Sequence, residues 1–484
     1  MVSAFFPSEG IRISDDITLV FAKPKEIFSN SEPQYANIDN IIALNTPENE
    51  TGEEIVEEAI PIPVEVVEEI DTLPEIDTVR ANAKKLKSSI CRIEFPNNNR
   101  EMLFPIFKAM ENAQKKGKVV RIMHYGDSQI EGDRITSYVR YKLQSKFGGS
   151  GVGLLPVKHL YDFKFSIRQK TSDNWHRRTV YGFRDTTLQH NRYGILGNFS
   201  QFTPFNEEIS TDDSIQHTAW VSFNESSYSY SNTKSFEQCR LFLGSNSSEC
   251  LANLYISDTL VDSHSFQPDS SLQSLRWRFD EPVSNINIEF NANRSPEVYA
   301  VALDGKSGVA VDNIAMRGCS GLIFTKMNAP LYREMMKELD VGLIILQFGG
   351  NVVPQQSRSY NFYERWLTSH IKWIQRNVPN TPIILMGVAD MSKKEKNYYV
   401  TYPSVKKVRE AMKNAAKNTN IAYWDMYKAM GGENSMPSWV FAHPPLATKD
   451  FVHFNVRGAR LMANMFYNAF NNEYQYYLKQ KNKQ

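Results

Sequence analysis

Apolar residues follow two rhythms along this chain. The run 119–125 (VVRIMHY) is apolar and β-branched over a length that suits a buried parallel strand. After a tight break at Gly126-Asp127-Ser128, apolar residues recur at Ile135, Tyr138, Val139 and Leu143. That spacing is helical, with Asp133 or Thr136 near the start. The same pair of patterns returns in the last third. Strands are expected at 309–315, at 341–348 (VGLIILQF, a near-continuous apolar run), at 382–388 (PIILMGV) and at 421–424. Helices are expected at 329–339, 361–377, 405–418 and 455–471, and one at 102–115 leads into the first strand. Strands alternating with helices predict an α/β domain built on a doubly wound parallel sheet, flavodoxin-like in class.

Between 157 and 303 the rhythm shortens. Alternating runs rich in Ser, Asn, Tyr and Phe occur at 163–167, 217–223, 240–243, 251–256, 275–279, 286–290 and 298–303. Short strands separated by Asn, Ser, Asp and Gly predict an all-β antiparallel sandwich. It reads as an insertion, because the α/β rhythm resumes beyond it. The glycine-rich stretch 147–156 (FGGSGVGLLP) ahead of it predicts positive φ angles or a close backbone approach. Residues 1 to about 30 alternate weakly (Ile11, Ile13, Ile17, Leu19, Phe21) and predict an edge strand or hairpin. Residues 47–80 are acidic, Pro-punctuated and Val/Ile-rich, the composition of an extended, self-repelling linker. The expected division is an N-terminal segment 1–46, a linker 47–80, an α/β domain in two parts (81–156 and 305–484), and an inserted, carbohydrate-binding-like sandwich at 157–304.

Composition narrows the function classes. A hydrophobic share of 41% with 23% charged residues places the chain among soluble globular proteins, and 484 residues suffice for two or three domains. A formal net charge of +1 supplies no field that would call for nucleic acid or an anionic membrane. No apolar run approaches the length of a membrane span. The four cysteines, Cys91, Cys239, Cys250 and Cys319, include no C-x-x-C pair, so no structural zinc site is expected. A bridge between Cys239 and Cys250 is left open. Aromatic residues make up 12%, and for Trp175, Tyr181, Phe183 and Trp220 packing in the sandwich core is expected ahead of stacking on sugars.

Strand, sharp turn and helix together lift one side chain above the carboxyl edge of a parallel sheet, where open α/β sheets bind their ligands. Here that side chain is Ser128. Gly-Asp-Ser alone is ordinary turn chemistry, but three distant stretches change its meaning. Arg317-Gly318-Cys319-Ser320-Gly321, Gln347-Phe348-Gly349-Gly350-Asn351 and Asp450-Phe451-Val452-His453 each sit at a strand end or in a loop before a helix. All can therefore converge on one edge. Ser128 can attack, His453 can take its proton, and Asp450 can orient the imidazole. The N–H of Ser128, a backbone donor at Gly321 and the amide of Asn351 suit an oxyanion hole. Gly318 competes with Gly321 for that place. His124 and His443 compete with His453, but His124 is expected beneath the site and His443 has no carboxylate at the same spacing. There is no G-x-S-x-G, which excludes the nucleophile elbow of α/β-hydrolases.

In this order the four blocks resemble those of the SGNH, or GDSL-type, hydrolases: G-D-S, a glycine in an S-G loop, G-G-N, and D-x-x-H. The resemblance covers about 116–156 and 305–470. It implies a nucleophile at Ser128, a triad completed by Asp450 and His453, an oxyanion hole of Ser128, Gly321 and Asn351, and no metal or organic cofactor. Gln129 stands where many members have Leu and Val352 where many have Asp, which bears on subfamily. The stretch GDSQIEGDRITSYVRYKLQSKFGGSGVGLLP is similar to the first block of bacterial peptidoglycan O-acetylesterases, which also carry a β-sandwich between their first and second blocks. The resemblance thus implies a serine esterase that removes O-acetyl groups from a cell-wall or other polysaccharide, peptidoglycan first, with an O-acetylated glycan as its partner. Esterases of plant polysaccharides such as xylan, O-acetyltransferases of the same superfamily and a non-catalytic glycan-binding protein are the alternatives. A periplasmic or secreted setting is expected, with the leader absent from this sequence, since MVSAFFPSEG has neither the basic start nor the apolar core of a signal peptide. The insertion enters between two blocks of the active edge, so it is expected to govern polymer recognition and to leave the chemistry alone.

Overall fold

A computed structural model of the chain describes residues 11–12, 18–19, 33–46, 91–161, 164–182, 188–204 and 215–483. The expected linker 47–80 lies outside these, as do Phe163 and Phe183. Of the N-terminal segment, Ile11–Arg12 pairs antiparallel with Thr18–Leu19, and Asp39–Asn45 is a short helix.

Five parallel strands form the central sheet: β1 Val119–Gly126, β2 Gly308–Ala315, β3 Val341–Gln347, β4 Ile383–Met386 and β5 Ala422–Trp424. Six helices accompany them: α1 Phe104–Asn112, α2 Thr136–Phe147, α3 Ala329–Glu338, α4 Asn361–Asn377, α5 Pro403–Asn418 and α6 Val456–Lys481. Successive strand residues face opposite sides. Met123, Tyr125, Ile344, Leu346, Ile383 and Leu385 pack with α3, α4 and α5. Val120, Ile122, Leu343, Ile345, Ile384 and Met386 pack with α1, α2 and α6. Burial on both faces is the reason these strands are apolar almost without interruption. This is the doubly wound sheet the pattern predicted, and its strand order is β2-β1-β3-β4-β5. In that order the winding reverses between β1 and β3, which opens a crevice at their carboxyl ends.

The expected sandwich is two antiparallel sheets. One runs Thr259–Phe266, Cys250–Ile256, Asn285–Ala292, His217–Glu225, Ile167–Thr171. The other runs Gln273–Val283, Phe236–Gly244, Glu297–Asp304, Asn198–Gln201, His176–Thr179, with Gly153–Leu155 also paired to Glu297–Asp304. Gly153–Leu155 lies ahead of the expected start at 157. Thr259–Phe266 escaped the pattern because it is an edge strand exposed along most of its length. Trp175 belongs to the sandwich core at 1% exposure and donates its indole N–H to the Trp220 carbonyl at 3.0 Å. Tyr181 is also buried, and the Trp220 ring is turned outward. Cys239 and Cys250 are both buried free thiols, on different sheets, so the bridge left open above is not formed.

The two parts interlock. The glycine-rich stretch brings Gly149 (φ +117°) so close to Val309 that a Cβ would lie 2.4 Å from its carbonyl oxygen, which only glycine permits. Arg121 of β1 is buried between Asp312 of β2 and Asp304 at the end of Glu297–Asp304, at 2.5 Å from each. Asp312 also accepts the Leu154 N–H at 2.8 Å. Leu154, Phe199 and Tyr299 pack in the same cluster as Met123 and Ile314. Among the described residues no helix is long and apolar enough to cross a membrane.

Candidate active site

Ser128 heads a short 3-10 segment, Ser128–Asp133, interrupted at Glu131 and Gly132, at the carboxyl end of β1. Asp127 caps it, accepting the Gln129 N–H at 3.0 Å. A kink at Glu131 and Gly132 separates this turn from α2, so of the two expected helix starts Thr136 is the one observed.

The Asp450–His453 stretch lies before α6 and reaches back to that turn. One carboxylate oxygen of Asp450 accepts the backbone N–H groups of Val452 (2.9 Å) and His453 (3.0 Å) and the Thr448 hydroxyl (2.5 Å). The other accepts from His453 Nδ1 at 2.7 Å. Burial pushes the Asp450 carboxyl upward, but its bonds to His453 and Thr448 outweigh burial and hold it well below the usual carboxylate range. An ionised carboxylate only accepts, so Nδ1 carries the proton and Nε2 presents a lone pair. Ser128 Oγ lies 2.8 Å from that Nε2. All three side chains are partly open to solvent, with 27% of His453 and 30% of Asp450 exposed.

The turn between acid and imidazole is held by residues the pattern did not single out. Phe451 has φ +58°, a left-handed conformation that is uncommon for a large side chain. Its ring is buried against Tyr399, stacked at 3.5 Å, and its carbonyl accepts the Ser392 N–H at 3.0 Å. Two further groups tie this loop to the nucleophile turn. Gln129 Nε2 donates to the Val452 carbonyl at 2.6 Å. Arg134 donates to the carbonyls of Ser128 (2.5 Å) and Phe454 (3.0 Å). No sequence signal marked Arg134, and Gln129 stood out only as a departure from the family pattern.

The expected oxyanion donors are placed less simply. Ser128 N–H finds no acceptor among the described residues. Asn351 follows β3 on the turn Gly350–Val352, and its amide donates to the Cys319 carbonyl at 3.1 Å, with Asp127 at 3.5 Å. Gly321 N–H points at Cys319 Sγ, 3.3 Å away. Its φ is +84°, and a Cβ there would meet the Phe348 ring at 2.9 Å, so this glycine is required by packing. Gly318, its competitor, faces open space. Asn351 and Gly321 thus both adjoin Cys319 beside the Ser128 turn, and both are engaged with it.

Asp127 lies beneath the site, fully buried, and burial pushes its carboxyl up to about 6 against the pull of Gln129, His453 and Gly350. His124 is buried under the turn as expected, bonded to Gln347 (2.9 Å) and Thr136 (3.0 Å), and burial lowers it to about 4. His443 is exposed on a separate loop. Among the described residues no group of three or more His, Cys, Asp or Glu side chains is arranged to hold a metal ion.

Known proteins share parts of this sequence and fold. Residues 278–461 match the family model of the GDSL-like Lipase/Acylhydrolase family, a span that includes Gly321, Asn351, Asp450 and His453 but not Ser128. Comparison with curated proteins gives no match. Among solved structures, a peptidoglycan O-acetylesterase superposes with a TM-score of 0.61 at 17% identity, over 78% of this chain and 98% of its own. A salicylyl-acyltransferase from a tetracycline biosynthetic pathway (TM-score 0.27, 12% identity, 63% of this chain, 97% of its own) also matches. So does a putative GDSL-like lipase from Parabacteroides merdae ATCC 43184 (TM-score 0.25, 18% identity, 34% of this chain, 73% of its own). At those TM-scores the last two add nothing to the fold. The four blocks are thus gathered on the carboxyl edge of a doubly wound sheet, residues 278–461 match the GDSL-like Lipase/Acylhydrolase family model, and the fold is shared with a peptidoglycan O-acetylesterase.

Proposed function

We propose that this protein is a serine esterase that removes O-acetyl groups from a polysaccharide, peptidoglycan first, through an acetyl-enzyme. The observation that carries the reading is the unbroken chain of hydrogen bonds from Ser128 Oγ through His453 to Asp450 at the mouth of the crevice. His453 Nε2 takes the hydroxyl proton as Oγ attacks the acetyl carbonyl. Asp450 stays ionised and stabilises the imidazolium. Negative charge on the carbonyl oxygen develops beside the unpartnered Ser128 N–H, joined by Gly321 N–H and the Asn351 amide. The amide has one hydrogen on Cys319 and a second, long to Asp127, to offer. His453 then protonates the departing sugar oxygen, and water repeats the cycle on the acetyl-enzyme.

Two things favour a glycan. The similarity of the first block is to peptidoglycan O-acetylesterases. The fold shared with one such enzyme also extends over 78% of this chain, a share the chain outside 157–304 could not supply alone. The test compares the wild type with Ser128→Ala on p-nitrophenyl acetate, O-acetylated peptidoglycan and acetylated xylan, reading free acetate with no acceptor added. Loss of roughly 10³-fold or more in kcat is expected for the variant, with peptidoglycan the better polymer. Activity within about tenfold of wild type would sink the nucleophile assignment, and faster release from xylan would move the substrate to plant polysaccharide.

A further inference from the structure

A small cleft opens between the sandwich and the carboxyl end of β2. Among its lining residues are His159, Tyr161, Lys164, Arg177, Asn198 and Asn313. Lys164 is only 8% exposed, yet its ammonium has neither a hydrogen-bond acceptor nor a carboxylate partner among the described residues. The acids nearby hold other groups, although Asp312 Oδ2 is buried without a hydrogen-bond partner. Asp133 holds Arg140 at 2.6 Å and the Ser166 hydroxyl, and Asp312 holds Arg121 and the Leu154 N–H. Arg177 is similar: it donates to the Tyr181 hydroxyl at 2.6 Å, and among the described residues its Nε is buried without a partner and no carboxylate lies within ion-pair distance.

An unpaired charge taken out of water is costly unless something pairs with it. The cost shows in Lys164 itself, pushed down to about 7 by burial, with Asp133 and Asp312 opposing and Arg140 and Arg177 adding to it. His159 is bound to Gln169 at 2.8 Å and is pushed well below its usual range by burial, then by Lys164 and Arg177. Among the described residues, the cleft therefore has two cations and no anion in its lining.

Its position ties it to the nucleophile. Ala315, in the cleft wall, is in register with Gly126, two residues before Ser128, and neighbouring strands lie ~5 Å apart. Arg317 bridges the two places: it pairs with Glu131 of the Ser128 turn and lies over the Tyr161 ring at 5.1 Å. We propose that this cleft is a subsite for a carboxylate carried by the glycan, with Lys164 and Arg177 as its ligands, so that the enzyme selects an acidic O-acetylated sugar. The proposal rests on the esterase reading above. A competing role for Lys164 is to balance the second carboxylate of the Arg121, Asp304 and Asp312 group, in which case it would confer no selectivity.

The experiment uses the full chain and two probes that differ in one charge: O-acetylated N-acetylmuramic acid with its lactyl carboxylate free, and the methyl ester of the same sugar. The acid is expected to have the higher kcat/KM by about tenfold or more, through KM. In Lys164→Met and in Arg177→Met the ratio of acid to ester should fall towards one. Each ratio is internal to one protein, so a general loss of activity or of folded material cancels. Equal rates on acid and ester in the wild type, or a ratio kept in both variants, would overturn the subsite. p-Nitrophenyl acetate separates the two readings: if the wild type does not hydrolyse it, the esterase reading fails. In that event calorimetric binding of N-acetylmuramic acid against its methyl ester still decides the subsite, with preference for the acid supporting it and no preference overturning it.

Discussion

Asp127 and Asn351 show how much a single polar group is asked to do here. Asp127 is buried with its carboxyl raised from 3.8 to about 6. A raised pKa means that the folded protein holds the proton more tightly than the unfolded chain. The stability this contributes is complete below pH 3.8 and is lost as pH rises through 6. Asp127→Asn removes that dependence. In urea unfolding of both proteins, the wild type is expected to lose up to ~3 kcal/mol relative to the variant between pH 4 and pH 7. A wild type that keeps or gains stability relative to the variant between pH 4 and pH 7 would contradict the burial argument. Asn351 faces a different demand, since its amide already holds the Cys319 carbonyl. If it also binds the oxyanion, Asn351→Ala should lower kcat by roughly 10²–10³ with KM little changed. An effect confined to KM would mean that it only positions the ester.

Among the elements, the antiparallel hairpin Ser392–Glu395 and Tyr398–Thr401 has a role its composition conceals. Asp390 fastens it, accepting the Thr401 hydroxyl and the Met436 N–H, each at 2.8 Å, and so joins the hairpin to the short helix Ser435–Val440. The hairpin in turn supports Phe451 through Tyr399 and Ser392. Phe451 is the left-handed residue between the acid and the imidazole, and it needs outside support to stay there. Tyr399→Ala removes the stacked ring and leaves every polar group of the site in place. It should lower kcat by about tenfold while costing ~1–2 kcal/mol in unfolding free energy. An unchanged kcat would show that the hydrogen bonds of Asp450 hold the turn alone.

For the molecule as a whole, the insertion is bound into the α/β part. Tyr125 of β1 donates its hydroxyl to the Ile195 carbonyl at 2.9 Å, and Tyr299 and Phe199 pack into the cluster that covers the sheet. Asp304 supplies one of the two carboxylates on the buried Arg121. Removing one partner of a buried ion pair costs about 3–5 kcal/mol, a large part of the stability of a typical domain. Replacing 157–304 by a Gly/Ser linker is therefore expected to leave no cooperative thermal transition by circular dichroism. A truncated chain that melts cooperatively would show that the shared core is dispensable. The proposed part of the insertion in polymer recognition is better probed by point changes in the cleft.

The chain announces its central strands because burial on both faces demands apolar residues whatever the neighbours are, and the turn and helix signals between them are equally local. The meeting of Ser128, His453 and Asp450 was legible for a related reason. In a parallel sheet every strand ends on one edge, so residues placed just after strands converge even when hundreds of positions separate them. Other features have no local signature. The order β2-β1-β3-β4-β5 depends on which strands pair, and no periodicity encodes that. The hairpin at 392–401 opens on a run of charged residues that lie partly or fully exposed, and the edge strand Thr259–Phe266 is exposed along most of its length, so neither shows a clear apolar alternation. Arg134 and Gln129 act on carbonyls contributed from more than 300 positions away. Lys164 reads as a surface residue until the sandwich closes over it. Periodicity reports whether a position is buried, whereas the partner that buried it is chosen by packing between segments distant in the chain.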